Sequence, residues 1–144
     1  MIERLKSILS HGDYTIVVGN PAVERIFTSR ERGVKALVHL IDTDPALLRG
    51  ATIADKVVGR AAAALMLRSG VSRLHSRVIT SAAVDMLRSA GIAVDFDTEV
   101  DMIANRARTG RCPLDTLCAP LSDPAEMEAA IRRFYKDLES RREH

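Results

Sequence analysis

The chain has 144 residues, 47% hydrophobic and 28% charged, which predicts one globular domain and excludes a disordered chain. A formal net charge of +2 is too small to indicate nucleic-acid binding, and 3% aromatic residues argue against a base-stacking surface. No apolar run reaches the roughly 20 residues of a membrane span, and the charged amphipathic N-terminus does not resemble a signal peptide. We therefore expect a cytoplasmic protein without membrane or nucleic-acid partners.

The first part of the chain predicts a helix, a hairpin and a second helix. Residues 2–10 place their apolar side chains on one helical face. Residues 14–18 and 22–27 predict two antiparallel strands joined by a Gly-Asn-Pro turn. The hydroxyl and carboxylate of residues 28–31 fit a capping box, and the helix that it opens continues over residues 33–41.

Residues 50–70 predict the central buried helix. Its second half, residues 61–67, carries no polar residue, and a helix that is apolar on every side must be covered on every side. Thr52 and Asp55 repeat the hydroxyl and carboxylate spacing of a helix start. The other elements are therefore expected to pack around this helix, with residues 46–50 as a turn or loop that leads into it.

The rest of the chain predicts alternating strands and helices. Strands are expected over residues 71–79 and 92–96, with a helix between them that Thr80 or Ser81 caps. Residues 97–107 predict another helix, and residues 112–119 predict a short one that begins at a Cys-Pro pair.

The predicted order gives an α/β fold with a mixed sheet of about four strands between helices. The chain divides into residues 1–122 as the domain and residues 123–144 as a terminal amphipathic helix. The apolar stripe of that helix packs either on the domain or on a second subunit, so a homo-oligomer stays open.

This order resembles the cytidine-deaminase-like fold, in which a hairpin precedes a central helix and two further strands follow. The chain is similar to an uncharacterised prokaryotic family of that fold, a domain of unknown function, over roughly residues 2–119. The resemblance is carried by Asp55-Lys-Val-Val-Gly-Arg-Ala-Ala-Ala-Ala-Leu-Met66, Asn105-Arg106 and Thr109-Gly-Arg-Cys-Pro113, with weaker similarity at Gly33-Val-Lys-Ala-Leu37 and the hairpin. It implies a three-layer α/β/α architecture.

The chain departs from zinc deaminases at both metal-binding motifs. Those enzymes resemble one another in a His/Cys-Ala-Glu helix start and a later Pro-Cys-x-x-Cys. The corresponding segments here are interpreted as Ala54-Asp55-Lys56 and Cys112-Pro-x-x-x-x-Cys118. The resemblance therefore implies the scaffold without the zinc chemistry, and we expect no metal and no cofactor.

Cys112 is the candidate nucleophile, with Asp55 and Lys56 beside it at a reacting centre. Pro113 begins a helix, so the Cys112 sulfur would lie at a helix N-terminus, where the dipole favours a thiolate. The alternative is a small half-buried residue that caps the helix, and this is favoured over nucleophilic catalysis because no His is near in sequence. Cys112 and Cys118 are expected to be reduced thiols.

A basic glycine-containing run before Cys112 is the candidate anion site, since guanidinium donors and a helix start together bind phosphate or carboxylate. The alternative is a solvated surface loop. The candidate ligand-binding residues are Thr52, Arg60, Asn105, Arg106, Arg108, Thr109, Gly110 and Arg111. We expect an anionic or nucleotide-like small molecule between the starts of the central helix and the Cys112 helix. The alternative is a non-catalytic binding or assembly module that kept the scaffold and lost the chemistry.

Overall fold

A computed structural model describes residues 1–103 and 112–143, which form a five-stranded mixed sheet with helices on both faces. The strands are β1 (Ile16–Asn20), β2 (Arg25–Ser29), β3 (Thr52–Val58), β4 (Arg73–Thr80) and β5 (Ala93–Val100). The helices are α1 (Ile2–His11), α2 (Gly33–Thr43), α3 (Pro45–Leu48), α4 (Arg60–Ser69), α5 (Ser81–Ser89), α6 (Pro113–Cys118) and α7 (Pro124–Glu143).

The sheet has the order β2-β1-β3-β4-β5. β1 is antiparallel to both β2 and β3, whereas β3, β4 and β5 run parallel to one another. The hairpin, the first helix and the parallel pairing of the last strands are therefore confirmed. The turn of the hairpin was placed too early, because Gly19 and Asn20 still belong to β1 and β2 begins only at Arg25. The strand count is five rather than about four, because β3 was assigned to a helix.

The two faces of the sheet carry separate apolar clusters. On one face, α2, α4 and α5 contribute to the main core, in which the α4 residues Ala61 to Met66 are all buried. On the other face, Leu5 and Leu9 of α1 pack against Val17 and Ala54. α7 packs against α4 and α6 and buries Met127 and Ile131. None of the helices that the structure describes is long and apolar enough to cross a membrane.

The predicted central helix over residues 50–70 is wrong in its first half. Residues Thr52–Val58 form β3, and the helix begins only at Arg60, after Gly59. β3 lies inside the sheet, paired with β1 on one side and β4 on the other. A strand that is buried on both faces is apolar almost throughout. It therefore lacks the alternation of apolar and polar residues that marks a strand with one face in solvent. The spacing of Thr52 and Asp55 imitated a capping box. Lys56 and Arg60 consequently do not share a helix face.

The boundary between the last predicted strand and the helix expected after it was also wrong. β5 extends to Val100, so residues 97–100 belong to an edge strand instead of a helix, and its exposed carboxylates suit an unpaired edge. Residues 104–107 of that predicted helix lie outside the described residues.

The predicted capping box at residues 28–31 was wrong. Thr28 belongs to β2, where it pairs with Val17 of β1, and α2 begins only at Gly33. The predicted loop at residues 46–50 is largely α3. The predicted cap of α5 is confirmed, since the Thr80 hydroxyl accepts the Ala83 N–H at 3.2 Å.

Candidate functional site

A cavity of about 290 Å³ lies where the carboxyl end of β3 meets the starts of α2, α4 and α6. Open α/β sheets bind ligands at the carboxyl ends of their parallel strands, which is where this cavity opens. Its walls are mainly apolar, from side chains such as Val34, Ile103 and Leu114. Its polar lining side chains are Thr15, Arg32, Asp55, Lys56, Cys112 and Asp115.

Asp55 is a buried carboxyl group with an incomplete set of hydrogen bonds. It is 1% exposed, and its Oδ1 accepts the Val57 N–H at 3.3 Å. Within the described residues, its Oδ2 is the one buried side-chain N or O atom without a hydrogen-bond partner. Burial penalises the charged form and raises the pKa of Asp55 to about 7, against the smaller lowering by backbone N–H donors.

Gly33 allows the start of α2 to approach Asp55. A Cβ at this position would lie 2.7 Å from Asp55 Oδ2 and 3.3 Å from Oδ1, too close for any side chain. The N-cap residue of α2, Arg32, gives the helix no side-chain cap. The first turn of α2 therefore lies beside the cavity without a capping side chain, and its positive dipole end is directed there.

Asp115 is a second buried carboxyl group in the same cavity, at 3% exposed, and it has partners. Its Oδ1 accepts the Arg60 backbone N–H at 3.2 Å, and its Oδ2 pairs with the Arg60 guanidinium at 3.2 Å. The α6 carboxylate thus caps α4 from another element. Gly59 makes room for this contact, because a Cβ there would lie 3.1 Å from Asp115 Oδ1.

Two cationic residues contribute to the lining. Arg32 is exposed, and Lys56 is half-buried with its Nζ 3.8 Å from an Asp13 carboxylate oxygen. Neither donates a hydrogen bond to Asp55 Oδ2, which has no partner among the described residues. The charges of the cavity are therefore arranged with cations towards the solvent and carboxyl groups inside.

The two cysteines are free thiols in different environments. Cys112 is half-buried and lines the cavity, and its backbone N–H donates to the Ile103 carbonyl at 2.7 Å. Cys118 is fully buried, and burial raises its pKa to about 11, with the Asp115 carboxylate adding to the rise. Cys118 is accordingly a packing residue rather than a reactive thiol.

The residues expected at a reacting centre lie around one cavity. Asp55, Lys56 and Cys112 all line it. Arg60 lies at its edge and is engaged by Asp115, whereas Thr52 lies at the other end of β3, opposite Arg73 of β4. Six of the expected ligand-binding residues lie outside the described residues: Asn105, Arg106, Arg108, Thr109, Gly110 and Arg111.

Sequence reasoning missed Thr15, Arg32, Gly33 and Asp115. Asp115 is an acidic residue in the first turn of the short helix after Cys112, a position that predicts stabilisation of its own helix and not the contact with Arg60. The contact between Gly33 and Asp55 had no local signal, because it joins positions that are far apart in the sequence. Among the described residues, no group of three His, Cys, Asp or Glu side chains is arranged to hold a metal ion.

The comparisons with known proteins give a family and a fold. The model of a family described as "Domain of unknown function (DUF1893)" matches residues 4–135. A crystal structure of a DUF1893 family protein from Thermotoga maritima is similar, with a TM-score of 0.83 and 23% identity over 92% of this chain and 88% of that chain. At this identity the likeness concerns the fold alone. No curated protein matches the chain.

Proposed function

The chain belongs to the DUF1893 family of unknown function, and from that premise we propose that it binds an anionic, nucleotide-like small molecule in the cavity beside Asp55. The observation that carries the proposal is the buried Asp55 Oδ2, which has no hydrogen-bond partner. Leaving such an atom unpaired costs about 1–3 kcal/mol or more. A fold retains that cost where a bound molecule can supply the missing partner.

The interior suits the uncharged part of such a ligand. The walls are mainly apolar, and Asp55 and Asp115 are the carboxyl groups among the described lining residues. Small-molecule sites typically combine apolar walls with a few polar groups that fix orientation. A ring with hydrogen-bonding edges matches this lining better than a phosphate, which the two carboxyl groups would repel.

The outer part of the cavity suits the negative group. Arg32 and Lys56 line it, and the first turn of α2 presents N–H groups without a capping side chain. Guanidinium and ammonium donors beside a helix start favour phosphate or carboxylate. We therefore propose that the anionic group of the ligand binds here, with Arg32 added to the residues expected from sequence.

Asp55, Lys56 and Cys112 remain the candidates for any chemistry on the bound molecule. A carboxyl group with a pKa of about 7 is suited to proton transfer near neutral pH. The proposal requires only that a ligand binds in the cavity. A module that binds the ligand without catalysing a reaction also satisfies it.

We further propose that the scaffold is cytidine-deaminase-like, as the resemblance implies. In support, the β1–β2 hairpin precedes α2, and the later strands alternate with helices. The two long helix starts at the cavity read Arg32-Gly33-Val34 and Gly59-Arg60-Ala61, without a His, Cys or Glu. The proposed ligand is accordingly bound without zinc. Superposition of an experimental structure on a zinc deaminase tests this assignment.

The binding proposal is tested by titrating the purified chain with the four ribonucleoside 5′-monophosphates and the four matching nucleosides. Isothermal calorimetry and two-dimensional NMR report the affinity and the residues perturbed. We expect at least one monophosphate to bind and to shift the amides around Gly33, Asp55 and Gly59. The matching nucleoside is expected to bind about tenfold more weakly, since it lacks charge-assisted contacts to Arg32 and Lys56.

Matched variants separate the cavity from the rest of the surface. Asp55→Asn changes the interior, whereas Asp137→Asn makes the same change at an exposed position on α7. Binding that is equal in wild type and Asp55→Asn, or that perturbs amides elsewhere, contradicts the proposal. The same holds if none of the eight compounds binds.

A further inference from the structure

We infer that the buried end of the ligand is a nitrogen base that donates N–H hydrogen bonds to the Asp55 carboxylate. This inference rests on the proposed function and specifies the chemistry of the ligand at the innermost polar group. It also predicts which simple compounds the cavity accepts and which it rejects.

The Asp55 carboxylate can accept more hydrogen bonds than the described residues donate to it. An ionised carboxylate is an acceptor only; Oδ1 accepts the Val57 N–H, whereas Oδ2 has no partner among the described residues. The cations near the cavity are engaged elsewhere or exposed: Arg60 pairs with Asp115, and Lys56 lies near Asp13. None of the described residues supplies a donor to Oδ2, and we assign that donor to the molecule that occupies the cavity.

The geometry favours a planar base with two N–H groups. Both carboxylate oxygens retain unused lone pairs, and the α2 backbone at Gly33 packs closely against the buried Oδ2. An amidine or a similar N–C–N edge donates two parallel hydrogen bonds to a carboxylate, which is the strong bidentate arrangement. The apolar walls fit the flat body that carries this edge. An apolar cavity of about 150 Å³ already accepts benzene, and this cavity is larger at about 290 Å³.

Acidic groups are expected to be excluded from the inner end of the cavity, beside Asp55. A carboxylate beside Asp55 would also face Asp115, and two unpaired negative charges at close range repel each other strongly in a poorly hydrated site. The negative group of the natural ligand is thus held outside, near Arg32, while the base enters.

The inference has a pH consequence. The ionisable and charged residues that line the cavity with Asp55 are Arg32 of α2, Lys56 of β3, and Cys112 and Asp115 beside or within α6, with Arg60 of α4 paired to Asp115. Burial raises the pKa of Asp55 to about 7, against the smaller lowering by backbone N–H groups. A cationic base binds the ionised carboxylate, so its binding releases the Asp55 proton and strengthens as the pH rises through 7.

Three compounds with the same ring test the inference on the intact chain: benzamidine, benzamide and benzoate. Titrations at pH 6 and pH 8, followed by NMR, report affinity and location. We expect benzamidine to bind about tenfold more tightly than benzoate at pH 8, and about tenfold more tightly at pH 8 than at pH 6. We also expect Asp55→Asn to lose about tenfold in benzamidine affinity and Asp137→Asn to lose none.

Each other outcome overturns the inference. These outcomes are benzoate binding as tightly as benzamidine, an Asp55→Asn variant that binds benzamidine like wild type, and a benzamidine affinity without pH dependence. The comparison of the three compounds uses only the wild type and holds even if the variant folds poorly. If monophosphates bind at Asp55 and benzamidine does not, this inference fails and the proposed function stands. If no compound of either set binds, the proposed function fails.

Discussion

Asp55 and Asp115 are both buried beside the same cavity, and they differ in what surrounds them. Asp115 has two partners from one residue, the backbone N–H and the guanidinium of Arg60. Asp55 has one backbone donor on Oδ1 and no partner on Oδ2 within the described residues. One carboxylate completes the start of a helix, and the other leaves the fold with an unsatisfied acceptor.

The difference separates a structural group from a candidate functional one. A buried charge with a counter-charge and hydrogen bonds is retained at small net cost, and its removal leaves the partner unsatisfied. A buried carboxyl group without such partners destabilises the fold at neutral pH and persists only if something else requires it. The two residues therefore predict opposite responses to mutation.

The largest expected effect is the pH dependence that Asp55 gives to stability. In the unfolded chain Asp55 ionises at its ordinary pKa of 3.8, whereas its pKa is about 7 in the fold. The stability from neutral Asp55 is fully present below pH 4 and is lost as the pH rises to 7. This difference of about three pH units corresponds to about 4 kcal/mol. Urea unfolding of wild type and Asp55→Asn at pH 4.5, 6 and 8 measures it.

We expect Asp55→Asn to gain stability relative to wild type as the pH rises, because the amide carries no charge to desolvate. Asp137→Asn controls for the loss of one exposed negative charge. A constant difference between wild type and Asp55→Asn across this pH range would mean that Asp55 is hydrated or paired in solution.

Removing Asp115 is expected to have the next largest effect, with the opposite sign. Asp115→Ala leaves the first N–H of α4 and the Arg60 guanidinium without their acceptor, and we expect a loss of about 3 kcal/mol in the free energy of unfolding. Asp115→Asn keeps an acceptor oxygen and should lose less. Urea midpoints at pH 8 compare the two variants. Equal stability of Asp115→Ala and wild type would show that Arg60 and α4 are satisfied by water.

The two glycines beside these carboxylates, Gly33 and Gly59, allow the same comparison with smaller expected losses of stability. A Cβ at Gly33 would lie 2.7 Å from Asp55 Oδ2, and one at Gly59 would lie 2.8 Å from Ile103 Cδ1 and 3.1 Å from Asp115 Oδ1. We expect Gly33→Ala and Gly59→Ala each to lose about 1–2 kcal/mol through overpacking.

The two alanine variants differ in their pH profiles. Displacing Asp55 in Gly33→Ala should alter the pH dependence of unfolding between pH 5 and 8, whereas Gly59→Ala should keep the wild-type profile. Parallel profiles for the two variants would contradict the distinct roles assigned to Asp55 and Asp115.

The sequence predicted elements whose pattern is local. The period of α1, the hairpin and the Thr80 cap of α5 depend on neighbours within a few residues, and all are found. β3 was mistaken for a helix because a strand buried between β1 and β4 shows no alternation, and its partners are distant in the chain. Helix and strand cannot be distinguished by periodicity in such a short apolar run.

Only part of the candidate site was predicted, because its other residues depend on contacts between distant parts of the chain. Asp55, Lys56 and Cys112 were selected by residue type and position, and they line one cavity although the helix assumed for Asp55 is a strand. Gly33 and Asp115 matter through contacts with residues that lie 22 and 55 positions away, at Asp55 and Arg60. Such contacts follow from the sheet order, which no short segment of the sequence specifies.

The smallest expected effect on stability belongs to Lys56, and it tests whether the cations of the cavity serve binding. Its ammonium group lies 3.8 Å from an Asp13 carboxylate that is 91% exposed, and such pairs contribute about 0–1 kcal/mol. We expect Lys56→Gln to change unfolding by less than about 0.5 kcal/mol and to weaken monophosphates several-fold while leaving nucleosides unchanged. Lys136→Gln removes an equal charge from the exposed face of α7 and should change neither measurement. Equal losses for monophosphates and nucleosides would mean that Lys56 shapes the cavity, and the negative group would then be bound elsewhere.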